Sequence, residues 1–391
     1  METGISKLNI RQRNRAELLT LLRQGVHTRA DLAHRLGISR PAVTLLVQHM
    51  LDEGILVEKK DPRGTDTKNP SDSNSGRKRA PLFLQANSRF ALGITIDRHG
   101  LAIGISNLEG ELIERRLLPL EEEITGELLL SRLVTEIPAF IQTCGLPREQ
   151  ILGAGLCADA EGFAEQRGLF LAQSVQQALG IETICVPFLE ALALAEADLR
   201  GKSQEGLLFI RGRAELTAVF VANGKVHAGA HGRGVSFGHM IGGEGEEICP
   251  VCGRRGCISS GLGAEQLSAG VRLSMVDPLP DVQPENSPAT EAPDPEPEQP
   301  EEDKDAFRDT AYRMALALDA AVSSLDPALV VLYGELFENG ALYTNLRRSM
   351  AEYLPYDLQG FVQQSRIPAA ANCLAGCLAA VRELFDQRGG L

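Results

Sequence analysis

The stretch "GHMIGGEGEEICPVCGRRGC", residues 238–257, places one imidazole and three thiols within twenty residues. His239, Cys249, Cys252 and Cys257 form a donor set of the type and spacing that closes around a tetrahedral zinc ion. Glycines at 253 and 256 let the backbone wrap tightly. With four protein ligands, no position stays open for a catalytic water, so the expected ion is structural. Unmetallated thiols would have no hydrophobic reason to sit in a loop this rich in glycine and charge. A zinc finger that reads DNA would need a second histidine, and the chain around this cluster is acidic. The cluster therefore braces a body whose work lies elsewhere.

Charge divides the chain. Residues 1–80 carry fifteen Lys/Arg against nine Asp/Glu, a surplus of +6 in a chain whose formal charge is −13. A basic head on an acidic body points the head toward a polyanion. No run of eighteen apolar residues occurs and the N-terminus has no apolar signal core, so a cytoplasmic protein without a membrane span is expected. In that reducing setting, eight cysteines read as thiols or metal ligands.

The head reads as helices. "NRAELLTLLRQG" has leucines at helical spacing and stops at Gly25. "HTRADLAHRLG" starts with Thr28 as N-cap, has Asp31 three residues on in a capping-box variant, and closes at Gly37. "ISRPAVTLLVQHMLDEG" follows, with Ser39 as N-cap, Pro41 in the first turn and Gly54 as terminator. Helix, short glycine turn, helix is the helix-turn-helix pattern. Val43, Leu46, Val47, Met50 and Leu51 would face a core, while Arg40, Thr44 and Gln48 share another face suited to bases or phosphates. "ILVEKK" and "APLFL" look like the strands of a wing, with a Gly-, Pro- and Ser-rich loop over 61–80. The loop ends in Arg77, Lys78 and Arg79, cations for phosphates or a minor groove. Residues 1–86 are thus expected to form a winged helix-turn-helix domain whose DNA contacts include Thr28, Ser39, Arg40, Thr44, Gln48, Arg77, Lys78 and Arg79.

From about residue 88 short strands and helices alternate, which predicts an α/β body over 87–391 with mixed sheets. Within it, residues 277–305 hold eleven acidic residues, one lysine and eight prolines. Such a stretch cannot bury enough apolar surface to offset chain ordering and is expected to be a disordered insertion. Cys373 and Cys377, four apart on an Ala-rich helix, fit core packing better than metal binding.

A winged helix followed by an α/β body with "GH…CxxCGxxGC" resembles the ROK family of bacterial sugar-responsive repressors and sugar kinases. "SLDPALVVLYG" and "LCADAEG" are similar to family segments, and the zinc motif differs by one extra residue between its first two cysteines. The resemblance implies an actin-like, ribonuclease H-type body of two lobes, assembled as a homodimer or homotetramer. It also exposes departures. Aligned on "ALAE", the Asn-Asp pair of family kinases falls on Pro187 and Phe188, and phenylalanine cannot take a proton from a sugar hydroxyl. Glu190 stands about half a helical turn away on another face. The two sugar-binding glutamates fall on Ser236 and Ser259, leaving only His239 matched. The phosphate-binding turn reads "DRHGLA", which keeps Asp97 and Gly100 but puts Leu101 where threonine is expected.

Together these features predict a DNA-binding regulator, a repressor, with a roughly palindromic operator and a body that has lost catalysis. That body would sense an unidentified small ligand or partner protein; Ser236, Ser259, His231, Arg233 and Glu190 are the polar candidates for a ligand. The alternative is an active sugar kinase carrying a regulatory DNA-binding head, which requires an acid-base group where Phe188 stands.

Overall fold

Thr28 and Ser39 each begin a helix in the way their side chains dictate. The computed structural model describes residues 7–25, 27–58, 80–97, 100–120, 126–158, 165–201, 205–212, 216–231, 234–243, 248–249, 252–261, 307–353 and 361–390. The basic triplet 77–79, Arg233 and the acidic stretch 277–305 lie outside the described residues. The chain divides into two compact units: residues 1–202 with 370–391, and residues 203–369.

The first unit opens with α1 (Lys7–Gln24), α2 (Arg29–Leu36) and α3 (Arg40–Asp52). The leucine stripe alone would start α1 near Asn14. It starts about two turns earlier, because Lys7–Arg13 holds no helix breaker. Thr28 accepts from the Asp31 N–H while Asp31 reaches back to the Thr28 N–H, the full capping box. Gly37 closes α2 at φ 65°, a backbone value that a side chain disfavours. Ser39 caps α3 through the Ala42 N–H. Strands β1 (Leu56–Glu58) and β2 (Leu82–Leu84) then pair antiparallel. Val43, Leu46, Val47 and Met50 are buried as the spacing requires, and Leu51 is half-buried.

Next come β3 (Phe90–Asp97), β4 (Gly100–Asn107), β5 (Leu112–Leu118), α4 (Gly126–Cys144), β6 (Ile151–Ala158), α5 (Glu165–Leu179), β7 (Thr183–Cys185) and α6 (Phe188–Leu199). The sheet runs β5-β4-β3-β6-β7, with β3, β4 and β5 antiparallel and β6 and β7 added parallel. Even-numbered residues of β3, from Phe90 to Ile96, join a core with Leu133, Ile137 and Phe140 of α4 and Val175 of α5.

The second unit holds β8 (Leu207–Gly212), β9 (Leu216–Ala222), β10 (Lys225–Val226), the short α7 (Ile258–Gly261) and α8 (Arg308–Leu325). It continues with β11 (Leu329–Tyr333), α9 (Glu335–Glu338), α10 (Gly340–Tyr353) and β12 (Val362–Gln364). Its sheet runs β10-β9-β8-β11-β12, again three antiparallel strands followed by two parallel ones. The same strand order therefore occurs twice, as the expected ribonuclease H-type body demands. Helices α8 and α10 cover this sheet through Met314, Leu318, Leu342 and Leu346.

The chain returns to the first unit as α11 (Cys373–Ala380), which continues as a wider π-type helix over Val381–Asp386. Glycines permit its seat on the sheet. A Cβ on Gly376 would lie 2.4 Å from the Gly155 carbonyl oxygen, and one on Gly155 would lie 2.1 Å from that of Gly376. Cys373 and Cys377 are fully buried at this contact, as core packing predicted.

The same helix reaches the N-terminal helices. Ala380, Val381, Leu384 and Phe385 share one hydrophobic core with Leu18, Leu19, Leu32, Val43 and Val47. Arg15, 1% exposed, donates to the Gly389 carbonyl at 2.6 Å and pairs with Glu53. Arg23 donates to the Leu108 carbonyl at 2.8 Å and to Asp386 at 3.0 Å. Burial pushes the Asp386 carboxyl up, against the opposing pull of Arg23. Among the described residues, no helix is long and apolar enough to cross a membrane.

Close packing at Gly376 gives a measurable expectation. Gly376→Ala should destabilise the chain by roughly 1–3 kcal/mol, read as a lower denaturant midpoint, because both backbones must shift. Gly126→Ala, where nothing lies within 4 Å of the added methyl, should stay within about 0.5 kcal/mol of the parent. Equal effects of the two changes would contradict this packing.

Candidate nucleic-acid interface and metal centre

Burying Val43, Leu46, Val47 and Met50 fixes which side of α3 faces water. Arg40, Thr44 and Gln48 are exposed on that side, with Ser39 at its start. Thr28 is half-buried, and both its hydroxyl and that of Ser39 already serve as helix caps. Thr44 donates its hydroxyl back to the Arg40 carbonyl at 2.9 Å, and Gln48 donates to Asp52 at 2.8 Å. A concavity of about 210 Å³ opens beside them, lined by Arg29, Ala30, Arg40, Thr44 and Ala80. Arg29 is held there by an ion pair with Glu58 at the end of β1.

Two features of this surface escape a reading by charge and caps. Arg29 lies directly after the N-cap and has no periodic signal; only the fold brings it beside Arg40. Leu45 is 63% exposed, although its neighbours Leu46 and Val47 are buried. Its signal was present in the sequence, since position 45 falls outside the three-four spacing of the core residues.

The four metal-ligand candidates converge within the second unit. One donor atom from each of His239, Cys249, Cys252 and Cys257 lies within 4.8 Å of every other. Cys249 Sγ is 3.6 Å from His239 Nδ1, and Cys252 Sγ is 3.3 Å from Cys257 Sγ. Tetrahedral zinc with ordinary bond lengths sets S···N edges at about 3.6 Å and S···S edges at about 3.8 Å, so these two edges lie within about half an ångström of what the ion requires. The backbone builds this geometry locally. Cys249 N–H bonds the Arg254 carbonyl and Gly253 N–H bonds that of Cys249, with Gly253 at φ 70° and Gly256 at φ 77°. Phe237 and Ile258, buried in the second core, anchor the two ends of the motif.

The thiols already differ in acidity. The Arg254 backbone N–H donates to Cys252 and pulls its thiol down to about 6. Burial, with the neighbouring thiols, pushes Cys257 up to about 11. A cation among them would favour the thiolate at each position.

The residues expected from a kinase cleft divide between the units. In the first, Asp97 ends β3 and accepts from Asn372 Nδ2 at 3.0 Å. Pro187 precedes α6 with no side-chain cap, and Phe188 is its first residue, 6% exposed. A buried ring thus begins the helix. Glu190 lies in the first turn and is half-buried. In the second unit Ser236 precedes the turn Phe237–His239. Ser259 lies against the same turn, since a Cβ on Gly238 would come within 2.3 Å of its hydroxyl. His231 is exposed.

Comparison with known proteins relates the chain to a family of regulators and kinases. The ROK family profile matches residues 91–381. A protein from Caldicellulosiruptor sp. (strain Rt8B.4), named "Putative xylose repressor", is 23% identical over 266 residues; the match spans 64% of this chain and 64% of that relative, just under two thirds of its length. A crystal structure of a ROK family transcriptional regulator, described as a homolog of the E. coli MLC protein, superposes with a TM-score of 0.67 at 21% identity. It covers 98% of both chains. A ROK hexokinase from Thermus thermophilus gives a TM-score of 0.53 at 18% identity, over 74% of this chain and 97% of its own. The body of this protein, from the first strand of its first sheet to its last helix, is therefore a member of the ROK family.

Proposed function

We propose that the protein is a DNA-binding transcriptional regulator, acting in the cytoplasm as a repressor, whose ROK body has lost sugar-kinase chemistry. One observation carries the reading: the outward face of α3 presents Arg40, Thr44 and Gln48 beside Arg29, on a head with a surplus of positive charge. Residues 1–86 act as a winged helix-turn-helix domain, with α3 entering a major groove and 77–79 reaching phosphates or the adjacent minor groove. Residues 87–391 sense an effector and bring two or four copies together, so the operator is roughly palindromic. The regulator superposed above supports this assignment through its coverage of 98% of both chains.

The body is a non-enzyme in this reading because Phe188 offers no proton acceptor at the start of α6. Zinc is structural: His239, Cys249, Cys252 and Cys257 fill its coordination and leave no reactive position. The xylose relative's name offers a sugar as the effector class. Ser236 and Ser259 stand where sugar-binding glutamates are expected, which favours a different small polar ligand or a partner protein.

Selection of duplexes from a random pool by the full chain should return a palindromic sequence. Its affinity should fall about a thousandfold or more between 50 and 200 mM salt, as phosphate neutralisation requires. Arg40→Ala should weaken binding about tenfold or more. Absence of a protected sequence, or affinity indifferent to salt, would overturn the proposal. Elemental analysis should find about one zinc per chain, lost in Cys257→Ser together with a lower melting temperature. Protein free of zinc yet equally stable would refute the structural-metal assignment.

A further inference from the structure

Among the described residues, Leu45 stands out for what it does not do. It sits on α3, points away from the core and is 63% exposed. An isobutyl group there gains nothing from folding, since Val43, Leu46, Val47 and Met50 already fill the inner face. With exposed Pro41 and Ala42 it makes the outward side of α3, which also carries Arg40, Thr44 and Gln48, partly apolar.

The polar neighbours are engaged within the helix. The Thr44 hydroxyl donates to the Arg40 carbonyl, which leaves its methyl as the free end of the side chain. Gln48 is turned along the helix to Asp52. What α3 offers around Leu45 is a small apolar area made with exposed Pro41 and Ala42, four and three residues before it on the same side of the helix. Arg40 and Thr44 turn to an adjoining face, where they line a concavity with Arg29, itself paired with Glu58. Of the groups that a duplex displays in its major groove, the thymine C5-methyl alone matches the apolar area, because the other base edges present donors and acceptors.

On the DNA-binding reading proposed above, we infer that Leu45 is a specificity-determining residue that packs on one thymine methyl in each operator half-site. Phosphate contacts from Arg40, on the adjoining face of α3, would fix the register of the helix and so set which base reaches Leu45. A protein partner would also accept an exposed leucine, but the surplus of positive charge on residues 1–80 favours duplex DNA.

Deoxyuridine differs from thymidine by the methyl alone, so it tests the contact directly. Each thymine of one half-site of the selected operator is replaced singly by deoxyuridine, and affinities are measured for the full-length chain and for Leu45→Ala. Alanine favours the helix, and the site is exposed, so the variant should fold as the parent does. One replacement should weaken the parent about fourfold, the effect of one buried methyl, and leave Leu45→Ala unaffected. Every other replacement should act equally on both proteins. If no thymine shows this dependence on Leu45 while both proteins bind the operator, the inference is overturned and the DNA-binding reading survives. If the parent selects no duplex at all, both fall together.

Discussion

A buried arginine cannot be left without partners, and Arg15 finds its own at opposite ends of the chain. Its guanidinium, 1% exposed, meets Glu53 at the end of α3 and the carbonyl of Gly389. Arg23 repeats the theme with Asp386 and the Leu108 carbonyl. Arg15 is buried while its partner Glu53 is 36% exposed, so losing Glu53 would strand a buried guanidinium. Between these anchors Leu384 and Phe385 complete the apolar core of the three N-terminal helices. The head is therefore an outgrowth of the first unit, built partly from the last residues of the chain.

That construction gives the body a physical means of addressing the head. The final helix lies on β3 and β6 through Gly93, Gly155 and Gly376, where the backbones approach too closely to slide. It also meets α6, where Arg382 holds Asp198 with two bonds of 2.9 and 3.1 Å. The far end of α6 is Phe188, so the helix that begins at this buried ring ends at the helix that carries the head. A ligand that favours one pose of α6 would bias the helices packed behind it, in proportion to its differential affinity for the two poses.

Local chemistry was legible in the sequence; distant pairing was not. Thr28 with Asp31, Ser39 with Pro41, and Gly37 each specify a helix end within four residues, and the structure has those ends. The His/Cys cluster was equally clear, because ligand type and spacing carry it without knowledge of the fold. The start of α1 was missed because Lys7–Arg13 lacks the leucines that marked the rest. Strand β12 carries no sequence signal, because three residues, Val362–Gln364, show no alternation and pairing with β11 alone makes them a strand. The union of residues 380–390 with the head joins positions over 350 apart, and no periodicity encodes it. Leu45 lay in plain view as a break in the core spacing, but its exposure had to be seen before the break had meaning.

Head and final helix share one core and should behave as one cooperative unit, which native-state hydrogen exchange of the full chain with Phe385→Ala can check. Amides of α1, α3 and residues 381–386 should share similar protection in the parent and lose it together in the variant, because one core holds them. Helical amides of the head that exchange independently of residues 381–386, and ignore the loss of the Phe385 ring, would contradict it.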